Sequence, residues 1–116
     1  MTPNCDRAHG TLAKSARWSA EVMKAFSNIA NAALAAKALD GKTKRLIALG
    51  ISVAIRCDDC IAFHAKAALK QGASREELME ALGMAIYMGA GPSVMYATHA
   101  LGAFTQFENE NTLAPA

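Results

Sequence analysis

Apolar residues recur with a helical period along most of this chain, and no stretch alternates cleanly enough to predict a strand. Between residues 11 and 38, Leu12, Trp18, Val22, Phe26, Ile29, Ala33 and Leu34 follow one helical face. Asn28 and Asn31 leave open whether this region is one helix or two. Asp40-Gly41 is a stop signal. The run 42–55 carries Leu46, Ile47, Leu49, Val53 and Ala54 around most of its girth, which predicts a buried second helix. A third helix starts near Cys57 and ends at Gln71-Gly72, glycine being a common residue just past a helix C-terminus. Ser74 and Glu77 have the spacing of a capping box and open a fourth helix running through Met88. Gly89-Ala90-Gly91-Pro92 interrupts it, and a last helix is predicted over 93–107. The expectation is an all-α bundle of five to six helices in one domain, 11–107, between a flexible N-terminus, 1–10, and a flexible polar tail, 108–116.

Composition narrows the function classes. The chain has 116 residues, 53% of them hydrophobic but only 6% aromatic, so its core must be built from Ala and aliphatic side chains. A small Ala-rich bundle has little core volume, and burying further apolar surface between subunits compensates, which predicts a homo-oligomer. Met79, Met84, Met88 and Met95 read as core or subunit-interface filler. A net charge of +2 with scattered basic residues gives no footprint for nucleic acid. The longest apolar run, about ten residues, is too short for a bilayer. Met1–Gly10 has no apolar stretch of a secretory signal, so a cytoplasmic location is expected. In that reducing compartment a close cysteine pair points to catalysis or metal binding before a structural staple. The glycines have no phosphate-loop spacing, and no cofactor is expected. Cys5 reads as a free thiol in the N-terminal segment.

The chemistry concentrates in Cys57-Asp58-Asp59-Cys60-Ile61-Ala62-Phe63-His64. On a helix Cys60 and His64 are neighbours at i and i+4, so the imidazole can take the thiol proton. The positive end of the helix also favours a thiolate, whereas Asp58 and Asp59 oppose it. Cys57 lies within disulfide reach of Cys60. Cys60 is the candidate attacking thiol, Cys57 its resolving partner and His64 the activating base. Two other readings use the same residues: Cys57, Cys60 and His64 as a metal site completed by His99, or two inert buried thiols. Taken alone, His99 reads as a satisfied core or interface residue.

Residues 39–102 resemble the carboxymuconolactone decarboxylase superfamily, and within it the AhpD-like alkylhydroperoxidase branch. The likeness rests on Asp40-Gly41-Lys42-Thr43-Lys44-Arg45-Leu46-Ile47-Ala48-Leu49, on the Cys57–His64 motif, on Ala67, on Gly72-Ala73-Ser74-Arg75-Glu76-Glu77-Leu78 and on Glu80-Ala81-Leu82. It implies helical subunits assembled as homotrimers or homohexamers. It also implies reduction of hydroperoxides by a Cys57/Cys60 dithiol that His64 helps activate. A lipoylated or thioredoxin-like dithiol protein would supply the electrons. Two positions depart from the peroxidase pattern. Arg45 stands where that branch has a relay glutamate, and Asp59 where it has a histidine. Arginine cannot serve as a base, which leaves the relay absent or rebuilt through Glu80 or Glu21. The departures motivate an alternative, a redox-sensing or scaffolding oligomer without efficient turnover. A further alternative is decarboxylation, although members with that activity generally lack the cysteine pair.

Overall fold

The structure, a computed structural model, describes residues 19–113. Residues 1–10, including Cys5, and residues 11–18 of the first expected helix lie outside the described residues. Four helices follow in order: α1 (Ala20–Leu34), α2 (Gly41–Ala54), α3 (Asp58–Lys70) and α4 (Arg75–Leu113). No strand occurs among the described residues. Ala90, with φ 55° and ψ −138°, divides α4 into two helical halves, 75–89 and 91–113. The fold is all-α, as expected, with four helices among the described residues where five to six were expected, and the interruption falls within Gly89-Ala90-Gly91-Pro92.

Local chemistry fixes the helix ends. Asp40 caps α2 by accepting from the Thr43 N–H at 2.7 Å. Ser74 and Glu77 form the reciprocal capping box: Ser74 N–H donates to Glu77 Oε1 at 2.9 Å, and Glu77 N–H to Ser74 Oγ at 3.1 Å. Gly72, at φ +88°, reverses the chain after α3, with Gly72 N–H donating to the Leu69 carbonyl and Ala73 N–H to that of Ala68. This pair of bonds is a Schellman motif. The same motif ends α2, with Arg56 at φ 60° and bonds from Arg56 N–H to Val53 and from Cys57 N–H to Ser52. It turns the chain in two residues and delivers Cys57 to the start of α3.

The core lies where α2, α3 and both halves of α4 meet. Leu49 and Val53 of α2, Ile61 and Ala65 of α3, and Leu78, Leu82, Ala100 and Phe104 of α4 are buried there. Alanines at Ala62, Ala65, Ala68, Ala97, Ala100 and Ala103 let helix backbones approach closely. Burying Phe104, Leu49, Ile61 and Leu78 completely is worth about 1.5–3 kcal/mol each. Gly89 closes the bend in α4: a Cβ there would collide with the buried Ser93 hydroxyl.

Three expectations need correction. First, α1, unbroken through Asn28 and Asn31 where the sequence leaves one helix or two open, ends at Leu34 and not near Ala38. There Lys44 Nζ caps the Ala33 and Ala35 carbonyls at 2.9 and 2.7 Å. Second, α2 is buried on one face only; Ile47, Ile51 and Ile55 form an exposed row along the other. The four methionines expected as filler, Met79, Met84, Met88 and Met95, are likewise exposed, so none is core within this chain. Third, the last helix runs six residues past Phe107, to Leu113. Arg75 holds this end by bonding Glu108 at 2.8 Å and Thr105 at 2.7 Å, and Gln106 reaches Glu110 one turn on.

Candidate functional site

The Schellman turn at Arg56 makes Cys57 the N-cap of α3, and its Sγ accepts the Cys60 backbone N–H at 3.3 Å. Cys57 and Cys60 are joined as a disulfide, with Cα atoms 5.3 Å apart. Each cysteine is half-buried, at the end of a helix that carries partial positive charge. Sequence reading paired Cys57 with Cys60 but missed that Cys57 would cap the helix. Once the disulfide is reduced, the N–H that meets Cys57 Sγ favours its thiolate.

His64 follows Cys60 by one helical turn, and long side chains on a helix lean back over the preceding turn. Its Nδ1 lies 3.2 Å from Nη1 of Arg45, which α2 contributes. The Arg45 guanidinium also sits 5.9 Å from the centre of the Phe63 ring, whose plane stands edge-on to His64. Burial, reinforced by the Arg45 charge, holds the His64 pKa down to about 4. Burial also lowers that of Arg45, without approaching neutrality. Arg45, which the family pattern flagged only as a departure, is therefore in the site. Glu21 and Glu80, considered as replacements for the relay, are exposed, and the charge acting on His64 is that of Arg45.

His99 is a satisfied residue, as read, but its partner lies in the cysteine motif. From the second half of α4 its Nδ1 meets Asp58 Oδ1 at 2.6 Å, and its ring lies 4.9 Å from that of Tyr96. This bond ties Asp58, one of the two residues between the cysteines, to a residue 41 positions later. It also draws toward His99 one of the two carboxylates that oppose a thiolate. No local pattern could have signalled it, because neither partner is unusual in its own segment. Among the described residues no three His, Cys, Asp or Glu side chains converge to hold a metal ion, so the set Cys57, Cys60, His64 and His99 is not assembled as one. No helix among the described residues is long and apolar enough to cross a membrane.

Comparison with known proteins places the fold in a family. The family model described as "Carboxymuconolactone decarboxylase family" matches residues 20–103. An uncharacterized Cupriavidus necator protein is 44% identical over 82 residues, covering 71% of this chain and 73% of its own length. An uncharacterized protein of the Paracoccus denitrificans cox locus is 33% identical over 102 residues, covering 88% and 92%. Among solved structures, a carboxymuconolactone decarboxylase family protein from Legionella pneumophila superposes with a TM-score of 0.85 at 50% identity, covering 89% of this chain and 92% of that one. A Thermotoga maritima member gives 0.81 at 31% identity, covering 91% of each chain. The chain belongs to the carboxymuconolactone decarboxylase family.

Proposed function

We propose that the protein is a thiol-dependent alkylhydroperoxidase and disulfide oxidoreductase of the AhpD-like type. One observation carries the reading: Cys57 and Cys60 lie within bonding distance at the N-terminus of α3, with His64 one turn beyond. Cys60, as thiolate, attacks the distal oxygen of a hydroperoxide. The O–O bond breaks, a sulfenic acid forms on Cys60, and the alkoxide leaves and is protonated to an alcohol. Cys57 attacks the sulfenic sulfur and expels water, giving the disulfide. A dithiol donor, lipoylated or thioredoxin-like, then returns both cysteines to thiols and is itself oxidised to a disulfide. A part in the antioxidative response has been suggested for the Thermotoga maritima relative, in line with this chemistry.

Self-association fits the same reading. Val22, Phe26 and Ile29 on α1, Ile47, Ile51 and Ile55 on α2, and Met84, Tyr87 and Met88 on α4 are all about half exposed or more. That is more apolar surface than a stable monomer of this size usually presents, and a second copy of the chain is the natural cover, as in a homotrimer or homohexamer.

The test is steady-state consumption of cumene hydroperoxide with dihydrolipoamide as reductant. Turnover is expected in the native chain and is lost in Cys60→Ser. Cys57→Ser should stop after one equivalent, with a sulfenic acid trapped on Cys60. If the native disulfide forms once but is not turned over by any dithiol, the redox-sensing alternative holds, and Arg45 at the relay position is the observation that favours it.

A further inference from the structure

We infer that Arg45 is a positioning residue that fixes His64 as the Nε2–H tautomer, making the imidazole a hydrogen-bond donor to the dithiol chemistry and not its base. The inference rests on the thiol reading of Cys57 and Cys60 for its purpose, but not for its geometry. A guanidinium has five N–H donors and no acceptor. The 3.2 Å contact between Arg45 Nη1 and His64 Nδ1 therefore requires Arg45 to donate and Nδ1 to accept. In a neutral imidazole the other nitrogen must then carry the hydrogen. An imidazolium would turn an N–H toward an N–H and set two cations side by side in a half-buried place.

The arrangement is held from both helices. Arg45 projects from α2 and lies against the Phe63 face, while Phe63 meets the His64 ring edge-on. Phe63 is uncharged, and Cys60 lies one turn before His64 on α3. The charge that acts on His64 comes from Arg45, and it adds to burial in keeping the ring neutral.

This reverses the expected role of His64. To accept the Cys60 proton, the ring would need a free lone pair on Nε2, which already bears hydrogen, or on Nδ1, which faces Arg45. The thiol proton passes instead to water, and the Cys60 thiolate receives the Nε2–H. When the thiolate attacks a hydroperoxide, the same N–H meets the charge on the departing alkoxide, which takes its proton from solvent. Arg45 thus stands in for a relay by fixing a donor, where a glutamate would have favoured a charged histidine.

The experiment uses the full-length reduced protein with 15N-labelled histidine. Two-bond 1H–15N spectra are recorded from pH 8 to about pH 3, and His64 is assigned by its loss in His64→Gln. The expected pattern above pH 5 is an unprotonated Nδ1 and a protonated Nε2. In Arg45→Met the tautomer preference relaxes and the His64 titration midpoint moves up by about one pH unit, whereas Arg45→Lys, which still donates, keeps the native tautomer. A native Nδ1–H tautomer, an imidazolium near pH 6.5, or spectra unchanged in Arg45→Met would overturn the inference. A second readout is the pH profile of iodoacetamide alkylation of Cys60 in a Cys57→Ser background. His64→Gln, whose amide still donates, should keep the native profile, while His64→Phe shifts it to higher pH. Equal shifts in both variants would restore His64 as the base. Neither readout depends on peroxide turnover, so failure of the proposed activity and failure of this inference are separable.

Discussion

His64 links the site to the stability of the whole chain, and acid separates its contribution from others. In the folded protein its pKa is held down to about 4, against 6.5 for a free histidine. Above pH 6.5 the ring is neutral in both folded and unfolded states and costs nothing. As the pH falls through 6.5, the unfolded chain takes up a proton that the folded chain refuses, so stability drops until about pH 4 and is then flat. The full difference corresponds to about 3.4 kcal/mol, at about 1.36 kcal/mol for each pH unit. The ring is only half-buried and water screens part of this, so we expect about 2 kcal/mol. Urea unfolding of the disulfide-intact protein at pH 7, 5.5 and 4.5 measures it without interference from thiols. His64→Gln supplies the baseline. At m of about 1–2 kcal/mol/M the native midpoint should fall by about 1 M more than that of the variant. Asp40 and Glu77 also have lowered pKa values, through their bonds to Thr43 and Lys42 respectively, but they lose stability only as the pH falls through the carboxylate range, below the upper part of the His64 window. Parallel pH curves for native protein and His64→Gln would refute the buried, Arg45-opposed histidine.

Two further predictions follow from the backbone and the surface. Ala90→Gly should stabilise the fold by about 1 kcal/mol, because relief of a positive-φ conformation costing about 1–3 kcal/mol outweighs the greater chain entropy of glycine. Thermal unfolding checks this, and a lower Tm would show that the bend at Ala90 is not strained. Ile51→Lys, on the exposed α2 row and outside the core, should leave helix content intact but shift sedimentation velocity from oligomer to monomer. A native chain that sediments as a monomer throughout the micromolar range would sink the self-association reading.

Much of the fold was legible because its helix ends are written in local chemistry. Gly72 and the Ser74–Glu77 pair act within three residues of themselves, so their spacing is enough to place a boundary, whereas Asp40, read as a stop, caps the start of α2. The interruption at Ala90 was legible for the same reason, through its flanking glycines and Pro92. What failed was inference from polarity alone. The segment after Phe107 looked like a tail because it lacks apolar periodicity, yet Arg75 reaches across to Glu108 and extends the helix. Met84 and Met88 read as core or subunit-interface filler because they are apolar at helical spacing, and their exposure removes only the first choice, since a hydrophobic face does not record whether its cover belongs to the same chain.

The site divides along the same line. Cys57, Cys60 and His64 lie within eight residues on about two turns of α3 and its cap, so their proximity followed from the helical repeat. Arg45 and His99 come from other helices, and only packing brings them in. Both change the chemistry that the local motif suggested. A histidine one turn from a thiol is read as a base because nothing in the motif states what its second nitrogen touches. Once Arg45 occupies Nδ1, the ring has a hydrogen to give and no lone pair free to accept one. Asp58, read locally as opposing the thiolate, likewise acquires a partner in His99. Short-range spacing thus identifies which side chains can react. The long-range contacts decide which of them donate and which accept, and that assignment governs how the dithiol responds to pH.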